Sequence, residues 1–319
     1  MSIDLSLKNI WDSWFAFRKG KKPTSELDSF QYYLEKNLYN LFADLNLGRY
    51  RHGGYRKFIV CDNKRREISV ADVRDKVVHR LVYDHLNKIC DKTFIYDAWS
   101  CRIKKGLTGA IERTQTFLKR HPNGYVWKGD VRKFFDSIDH EILQKLLAPK
   151  IKDKKTSILL DEIIRSFQSG HGNKKGMPIG NLTSQIFANI YMNELDRFVK
   201  CQLKPKAYLR YGDDFILIAH DAEKLEFYRT KIIKFLEEVL KLQMNTKNDR
   251  IIKASRGLKF LGATIFPSCR MLSGRNFRRI KKNLNTRNIS SYNGLIRKNG
   301  NEKQKEQFDW MVLRCLSLE

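Results

Sequence analysis

The chain has 319 residues, 42% of them hydrophobic, and its 62 Lys and Arg outnumber its 35 Asp and Glu to give a formal net charge of +27. A core beneath a cationic surface favours a polyanion as partner over an anionic membrane or an acidic protein, because the basic residues are spread along the whole chain. Its six cysteines lack zinc spacing and no segment approaches the ~20 apolar residues of a membrane span, so we expect a soluble, cytoplasmic protein in a reducing compartment.

The first predicted elements are helices and a β-hairpin. Ser25 begins a capping box with Asp28, and a helix follows it. The segment 51–70 has the pattern of a β-hairpin that turns at Asp62-Asn63-Lys64, and 73–90 returns to helical spacing. The apolar residues at helical spacing are Phe30, Leu34, Leu38, Leu41, Phe42 and Leu45 in the first helix, and Val77, Val78, Leu81, Val82, Leu86 and Ile89 in the second.

Three aspartates are predicted at strand ends. An apolar strand that starts at Tyr125 ends on Asp130, and Tyr211-Gly-Asp213-Asp214 separates two apolar runs that are typical of short strands. Like charges this close are costly to keep ionised without a cation beside them, although an ordinary Gly-Asp turn is the alternative. Three such carboxylates would hold two Mg2+ ions roughly 3.5–4 Å apart, which is the arrangement used for in-line phosphoryl transfer.

The second half of the chain is predicted to continue with helices over 182–200 and 222–242. From about Met271 onward the pattern predicts a basic helix, and the alternative for its charges is a solvated helix face. Its basic residues are Arg275, Arg278, Arg279, Lys281 and Lys282.

Several motifs, in this order, resemble those of the reverse transcriptases. Gly129 to Phe135 is similar to the first catalytic motif, Gly176 to Gln185 to the motif that contacts template and nucleotide, Tyr211 to Asp214 to the signature turn, and Gly257 to Gly262 to the primer grip. Two upstream segments, 63–78 and 94–102, resemble the fingers motifs of the bacterial branch that includes group II intron enzymes.

The resemblance implies an α+β, right-hand polymerase fold with fingers, palm and a short thumb, in which helices back an antiparallel palm sheet. The N-terminal helices and fingers would occupy 1–122, the palm 123–265 with a fingers insertion around 145–178, and the thumb 266–319. The implied activity is RNA-directed DNA polymerisation, with template RNA, a primer or cDNA strand and dNTPs as partners, and with two Mg2+ ions, for which Mn2+ substitutes.

Site roles follow from the motifs. Asp130 and Asp213 are the expected shared metal ligands and catalytic residues, Asp214 completes or orients the site, and the carbonyl of Val131 adds a ligand. Arg66 can pair bidentately with a triphosphate. The other expected nucleotide contacts are Lys57, Phe135, Ile179, Gly180 and Gln185, and the template or primer contacts are Arg102, Ser184, Tyr211, Phe260, Leu261 and Gly262.

Phe135 is expected to exclude a ribose 2′-hydroxyl, and adjacent residues of a strand point to opposite faces, so at most one of Phe134 and Phe135 need be core. The alternative is that both are core aromatics. The general acid for the pyrophosphate leaving group falls on Lys247 or Asn248 and stays unassigned.

Two departures from the family pattern indicate a branch. Ile179 stands where most of the family has Gln, and Gln185 where many have Pro, the pattern associated with reverse transcriptases of diversity-generating retroelements. That branch copies RNA with frequent errors opposite adenine, and we expect Ile179 to permit them because it offers no polar contact. The alternative is a packing substitution without effect on fidelity.

The segment after Gly262 is too short for a maturase, HNH or RNase H domain, so a small accessory nucleic-acid-binding protein is also expected. Two other functions remain open. One is an antiphage-defence or retron-type reverse transcriptase, and the other is a noncatalytic RNA-binding scaffold. Three clustered carboxylates argue against the scaffold, because they repel RNA.

Overall fold

The computed structural model describes residues 2–61, 65–170, 174–247 and 249–317. They form two compact units, each described by itself below. The first unit comprises Met1–Ile95, Val131–Leu195 and Phe235–Gln243, and the second comprises Tyr96–Asp130, Asp196–Lys234 and Met244–Glu319.

The described residues form helices and antiparallel strands, which confirms the α+β class. The helices are α1 (Leu7–Arg18), α2 (Ser25–Tyr32), α3 (Leu34–Asn46), α4 (Val73–Cys90), α5 (Leu107–Arg120), α6 (Phe134–Ser137), α7 (His140–Leu147), α8 (Lys154–Arg165), α9 (Leu182–Arg197), α10 (Ala222–Glu238), α11 (Gly274–Asn283), α12 (Ile289–Asn299) and α13 (Glu302–Leu316). The strands are β1 (Tyr55–Cys61), β2 (Arg65–Ala71), β3 (Tyr125–Asp130), β4 (Ala207–Tyr211), β5 (Asp214–Ala219), β6 (Arg250–Lys253), β7 (Leu258–Phe260), β8 (Ala263–Ile265) and β9 (Arg270–Leu272).

The helix predicted to follow Ser25 begins one residue earlier than expected and is broken in two, and a further helix, α1, precedes it. The N-cap of α2 is Thr24, whose hydroxyl accepts the N–H of Leu27 at 3.3 Å, so Ser25 is the first helical residue rather than the cap. Tyr33, with φ of −107°, separates α2 from α3. Both helices bury leucine side chains, Leu27 in α2 and Leu38, Leu41 and Leu45 in α3.

The predicted hairpin and the helix after it are both present in the first unit. Strands β1 and β2 pair antiparallel, with Tyr55 opposite Ala71 and Cys61 opposite Arg65. The predicted turn residues, 62–64, lie outside the described part of the chain. Helix α4 buries the predicted residues except Ile89, which is half-buried.

The second unit is built on a four-stranded antiparallel sheet in the order β4-β5-β3-β6. Helix α5 packs its apolar face, which includes Ile111 and Phe117, against sheet residues such as Val126 and Ile216. Strand β3 therefore lies inside the sheet, hydrogen-bonded to β5 on one side and β6 on the other. Asp130 is the last residue of this central strand.

A three-stranded sheet, β7-β8-β9, and α11 to α13 complete the second unit. The basic helix begins at Gly274, because 270–272 pairs as β9 and Ser273 caps the helix by accepting the N–H of Asn276. A small core buries the inner faces of these helices and leaves the predicted basic residues of α11 exposed. Across the described residues, no helix is long and apolar enough to cross a membrane. The division into fingers, palm and thumb stays a prediction.

Candidate active site

The signature turn is a two-residue hairpin between β4 and β5. Tyr211 pairs with Asp214 across it, which leaves Gly212 and Asp213 as the turn residues. Gly212 has φ of +67°, a value that Gly adopts readily and that primed hairpin turns require at their first central position. Asp213 therefore stands on the turn, and Asp214 is the first residue of β5.

Strand β3 brings the third aspartate to this turn. In the antiparallel register of β3 and β5, Asp130 lies directly opposite Asp214. Side chains of directly opposed residues start from Cβ atoms about 4.5–5.5 Å apart, and like charges there destabilise a sheet unless something compensates them. The backbone register therefore brings Asp130 and Asp214 together where the two central strands of the sheet meet the turn that bears Asp213.

Asn245 compensates Asp130, and the sequence reasoning missed it. Its side-chain Nδ2 donates to Asp130 Oδ2 at 2.8 Å, and its backbone N–H donates to the Asp130 carbonyl, also at 2.8 Å. The Oδ1 of Asn245 accepts the backbone N–H of Lys247 at 3.2 Å. Asn245 therefore holds both the carboxylate and the backbone carbonyl of Asp130.

Lys128 compensates Asp214 and was also missed. Its Nζ lies 3.3 Å from Asp214 Oδ1, and both side chains are partly exposed. Lys128 precedes Asp130 by two residues on β3, so the two side chains share a face of the strand. The only sequence signal was this i, i+2 spacing of a cation and a carboxylate.

The residue between them has to be glycine. A Cβ at Gly129 would lie 2.4 Å from Cζ of Phe215 and 3.0 Å from Cε of Met244. The Phe215 ring and the end of the Met244 side chain fill this position and pack against the strand.

The carboxylates suit a hard divalent cation such as Mg2+, which prefers oxygen ligands. Asp130 and Asp214 supply oxygens from two opposed strands. Within the described residues, however, no group of three or more His, Cys, Asp or Glu side chains is assembled closely enough to hold a metal ion. The pair fits a divalent cation, and the full set of Asp130, Val131, Asp213 and Asp214 stays a prediction.

The predicted template and primer residues of the second unit lie in turns and in the core. Arg102 is half-buried and donates from Nη1 to the Ala98 carbonyl at 3.1 Å. Tyr211 packs against the sheet core, and burial raises the pKa of its hydroxyl. Phe260 is buried in β7, whereas Leu261 and Gly262 form the turn to β8 with φ of +50° and +79°.

The segment around Gly180 is tied to β2 within the first unit. Ser69 N–H donates to the Ile179 carbonyl at 3.1 Å, and Asn181 Nδ2 donates to the Ser69 carbonyl at 2.6 Å. Gly180 has φ of +110°, and a Cβ there would lie 2.8 Å from Cγ2 of Ile68. The backbone position of Ile179, whose side chain is half-buried, is consequently well defined.

A cavity of about 550 Å3 opens beside this segment in the first unit. Gly180 and Gln185 line it, whereas Ser184 is buried in the first turn of α9. The cationic side chains that line the cavity are Lys19, Lys21, Lys22, Lys76 and Arg80.

The remaining nucleotide candidates also belong to the first unit. Arg66 and Lys57 are exposed on the β1–β2 ribbon, where Lys57 Nζ lies 2.8 Å from Glu67 Oε1. Val131 is buried. These placements leave their predicted contacts with nucleotide as predictions.

The strand argument for Phe134 and Phe135 was wrong, because β3 ends at Asp130 and both residues lie in the helical turn α6. Phe134 is buried, Phe135 is half-buried, and their rings meet edge to face with centroids 5.4 Å apart. Lys247 is exposed, and Asn248 lies outside the described residues, so the general acid stays unassigned.

Comparisons with known proteins agree with this geometry. The profile of the reverse transcriptase (RNA-dependent DNA polymerase) family matches residues 55–265. The chain is 25% identical over 240 residues to protein YkfC of Escherichia coli, covering 63% of each chain. It is 23% identical over 333 residues to the group II intron-encoded protein LtrA of Lactococcus lactis, covering 82% of this chain and 54% of that one.

Solved telomerases share the fold. The telomerase of Candida albicans, in complex with a fragment of telomeric RNA, aligns with a TM-score of 0.53 at 13% identity over 89% of this chain and 61% of its own. A truncated apo telomerase of Candida tropicalis aligns with a TM-score of 0.52 at 15% identity over 69% of this chain and 55% of its own. These likenesses confirm the right-hand polymerase fold. The chain spans between about half and just under two thirds of the length of these relatives.

Proposed function

Because this chain belongs to the reverse transcriptase (RNA-dependent DNA polymerase) family, we propose that it is an RNA-directed DNA polymerase that copies a template RNA into cDNA. The observation that carries the proposal is the register of β3 and β5, which sets Asp130 opposite Asp214 beside the turn that bears Asp213. A noncatalytic RNA-binding scaffold has no use for carboxylates that repel RNA.

The proposed chemistry is two-metal nucleotidyl transfer. Asp130, Asp213 and Asp214 would hold two Mg2+ ions, or Mn2+ in their place, with the Val131 carbonyl as a further ligand. Metal ions held there would supply activation of the 3′-hydroxyl and charge neutralisation at the leaving pyrophosphate. Asn245 orients Asp130, whereas Lys128 balances the negative charge at Asp214.

Template RNA is proposed to run past the cationic cavity beside Gly180. Five cations line that cavity together with Glu26, and phosphates gain affinity from such a lining. The exposed Arg66 of the β1–β2 ribbon takes the triphosphate, with Lys57 as a second cation, and Phe135 restricts the 2′ position of the sugar.

The finer proposal is error-prone synthesis as part of a diversity-generating retroelement. Hydrogen bonds to Ser69 hold Ile179 in place, so an apolar side chain occupies a position defined by the backbone. It offers no hydrogen bond that would distinguish a correct nucleotide from a misplaced one. A small accessory nucleic-acid-binding protein would complete the system, and the alternative is a retron-type or antiphage-defence enzyme.

The test is Mg2+-dependent extension of a DNA primer on a defined RNA, followed by sequencing of the product. Asp213→Asn/Asp214→Asn should abolish synthesis, whereas Asp12→Asn, an exposed aspartate of α1, should not. Errors concentrated opposite adenine support the retroelement, and accurate synthesis supports the alternative. No synthesis on any template, with cognate RNA and partner added, would favour a scaffold.

A further inference from the structure

A fully buried ion pair lies behind the signature turn. Arg210 of β4 and Asp196 have side-chain exposures of 1% and 0%. Arg210 Nε lies 2.8 and 3.0 Å from the two carboxylate oxygens of Asp196, and Nη2 lies 2.6 Å from Oδ2. This is a bidentate pair in the second unit, to which the proposed chemistry assigns no role.

The pair is anchored by its neighbours. The Tyr208 hydroxyl donates to Asp196 Oδ1 at 2.7 Å. The backbone of Arg210 donates to the Asp97 carbonyl at 2.9 Å and accepts from the N–H of Trp99, also at 2.9 Å. Both the guanidinium and the backbone of Arg210 are therefore hydrogen-bonded within the second unit.

The guanidinium also reaches the turn. Arg210 Nη1 donates to the Gly212 carbonyl at 2.9 Å. Burial by itself would lower the pKa of Arg210, but the carboxylates of Asp196 and, more weakly, Asp213 raise it. The planar guanidinium of Arg210 thus bonds both the buried carboxylate of Asp196 and the carbonyl of Gly212, the residue before Asp213.

Stability alone does not explain the pair. Desolvating two charges costs about as much as their attraction returns, and apolar replacements of buried pairs are often as stable or more so. Lys could not replace Arg here, because an ammonium lacks the planar geometry that serves Asp196 and the Gly212 carbonyl together.

We propose that Arg210 and Asp196 are positioning residues that hold the Gly212–Asp213 turn in the conformation in which Asp213 and Asp214 bind a divalent cation. The inference rests on the proposed function, because it assigns these residues to the same site. They touch neither substrate nor the reacting atoms. They act through the Gly212 carbonyl.

The test variant is Arg210→Met/Asp196→Asn, which removes both charges and leaves an amide oxygen for the Tyr208 hydroxyl. The chain offers a control pair with the same hydrogen-bond pattern, although its arginine is 32% exposed. Arg229 pairs bidentately with Asp249 through Nε at 2.8 and 2.9 Å and Nη2 at 2.6 Å, and Trp127 donates to Asp249 at 2.7 Å. The control, Arg229→Met/Asp249→Asn, makes the same chemical change at a pair that does not contact the turn.

Four quantities are measured for both variants and the wild type: thermal unfolding, Mn2+ affinity from the electron paramagnetic resonance signal of the free ion, kcat and primer–template affinity. For the Arg210 variant we expect a folded protein with wild-type primer–template affinity. Its Mn2+ affinity should fall about 10-fold or more, as for other outer partners of metal ligands. Its kcat should fall up to about 100-fold, the effect of a ~1 Å misplacement. The control should keep wild-type Mn2+ affinity.

A folded Arg210 variant with wild-type Mn2+ affinity and kcat would overturn the inference. If that variant does not fold, Arg210→Lys, which keeps the charge but not the fork, should show the same loss of Mn2+ affinity, and wild-type affinity there overturns it equally. A wild type that is inactive on every template would refute the proposed function instead, and the Mn2+ measurement would still decide the role of Arg210.

Discussion

Asn245 holds Asp130 twice, through its side-chain amide to Oδ2 and through its backbone N–H to the Asp130 carbonyl, each at 2.8 Å. The two residues are 115 positions apart in the chain. This contact orients one oxygen of a predicted metal ligand. It therefore couples the loop after α10 to the end of β3.

Replacing Asn245 should impair catalysis more than stability. Asn245→Ala removes the bond to the carboxylate, so we expect kcat to fall about 10–100-fold and the Mg2+ requirement to rise. The free energy of unfolding should fall by only about 1 kcal/mol. Steady-state primer extension over a Mg2+ titration measures this. Thr246→Ala, at the exposed neighbouring residue, is the control, and equal effects of both substitutions would contradict the prediction.

Lys128→Met should lower the Mg2+ concentration for half-maximal activity by about 2–5-fold. The ammonium lies 3.3 Å from Asp214 Oδ1 and reduces the negative potential that attracts a cation. The pair is partly exposed, so stability should change by less than about 1 kcal/mol. Lys128→Arg should retain the wild-type requirement. A higher Mg2+ requirement in Lys128→Met would show that the lysine assists the site rather than competes with the ion.

Gly129→Ala should destabilise the sheet by about 1–3 kcal/mol, because the added methyl group overlaps the Phe215 ring. Chemical unfolding of the purified protein measures the change. Gly54→Ala is the matched control, since no atom lies within 4 Å of a Cβ at that position. Combining Gly129→Ala with Phe215→Leu should recover part of the loss, and a full loss in the double variant would argue against the overlap.

Ile179→Gln should reduce errors opposite template adenine by about fivefold, the effect of one net hydrogen bond of ~1 kcal/mol. Ile179→Val keeps an apolar side chain and should leave the error spectrum as in the wild type. Sequencing of cDNA copied from one RNA by all three proteins provides the comparison. An unchanged spectrum in Ile179→Gln would assign Ile179 to packing.

Binding to primer–template should weaken steeply with salt, and Arg278→Gln on α11 should reduce the slope of log affinity against log salt by about 1. Arg278 is exposed on the basic helix. Filter binding across a salt series measures the slope. Lys8→Gln, at an exposed residue of α1, is the control for a charge that only adds to the net total. If both substitutions change the salt slope equally, the basic residues of α11 form a solvated helix face and do not contact the nucleic acid.

The alternation of apolar residues and the turn residues predicted the local secondary structure well. The strands on both sides of Gly212 and the hairpin 55–71 follow from alternation and turn residues that lie close together in the chain. The errors were also local. Thr24 rather than Ser25 caps α2, because either hydroxyl satisfies the pattern and the backbone decides between them. Strand alternation failed at Phe134, because the chain turns into a helix after Asp130.

By itself, the sequence determined the order of the motifs, the strands that carry Asp130 and Asp214, and the chemistry that such carboxylates suit. Only the tertiary structure decided what holds them: Asn245 on Asp130, Lys128 on Asp214, and Arg210 between Asp196 and the turn. The periodicity of apolar residues and the turn residues determine secondary structure over a few neighbouring positions, so they can be recognised in the sequence. Side-chain partners far apart in sequence are selected by packing, because burial leaves each polar group only the donors and acceptors that the fold brings within reach.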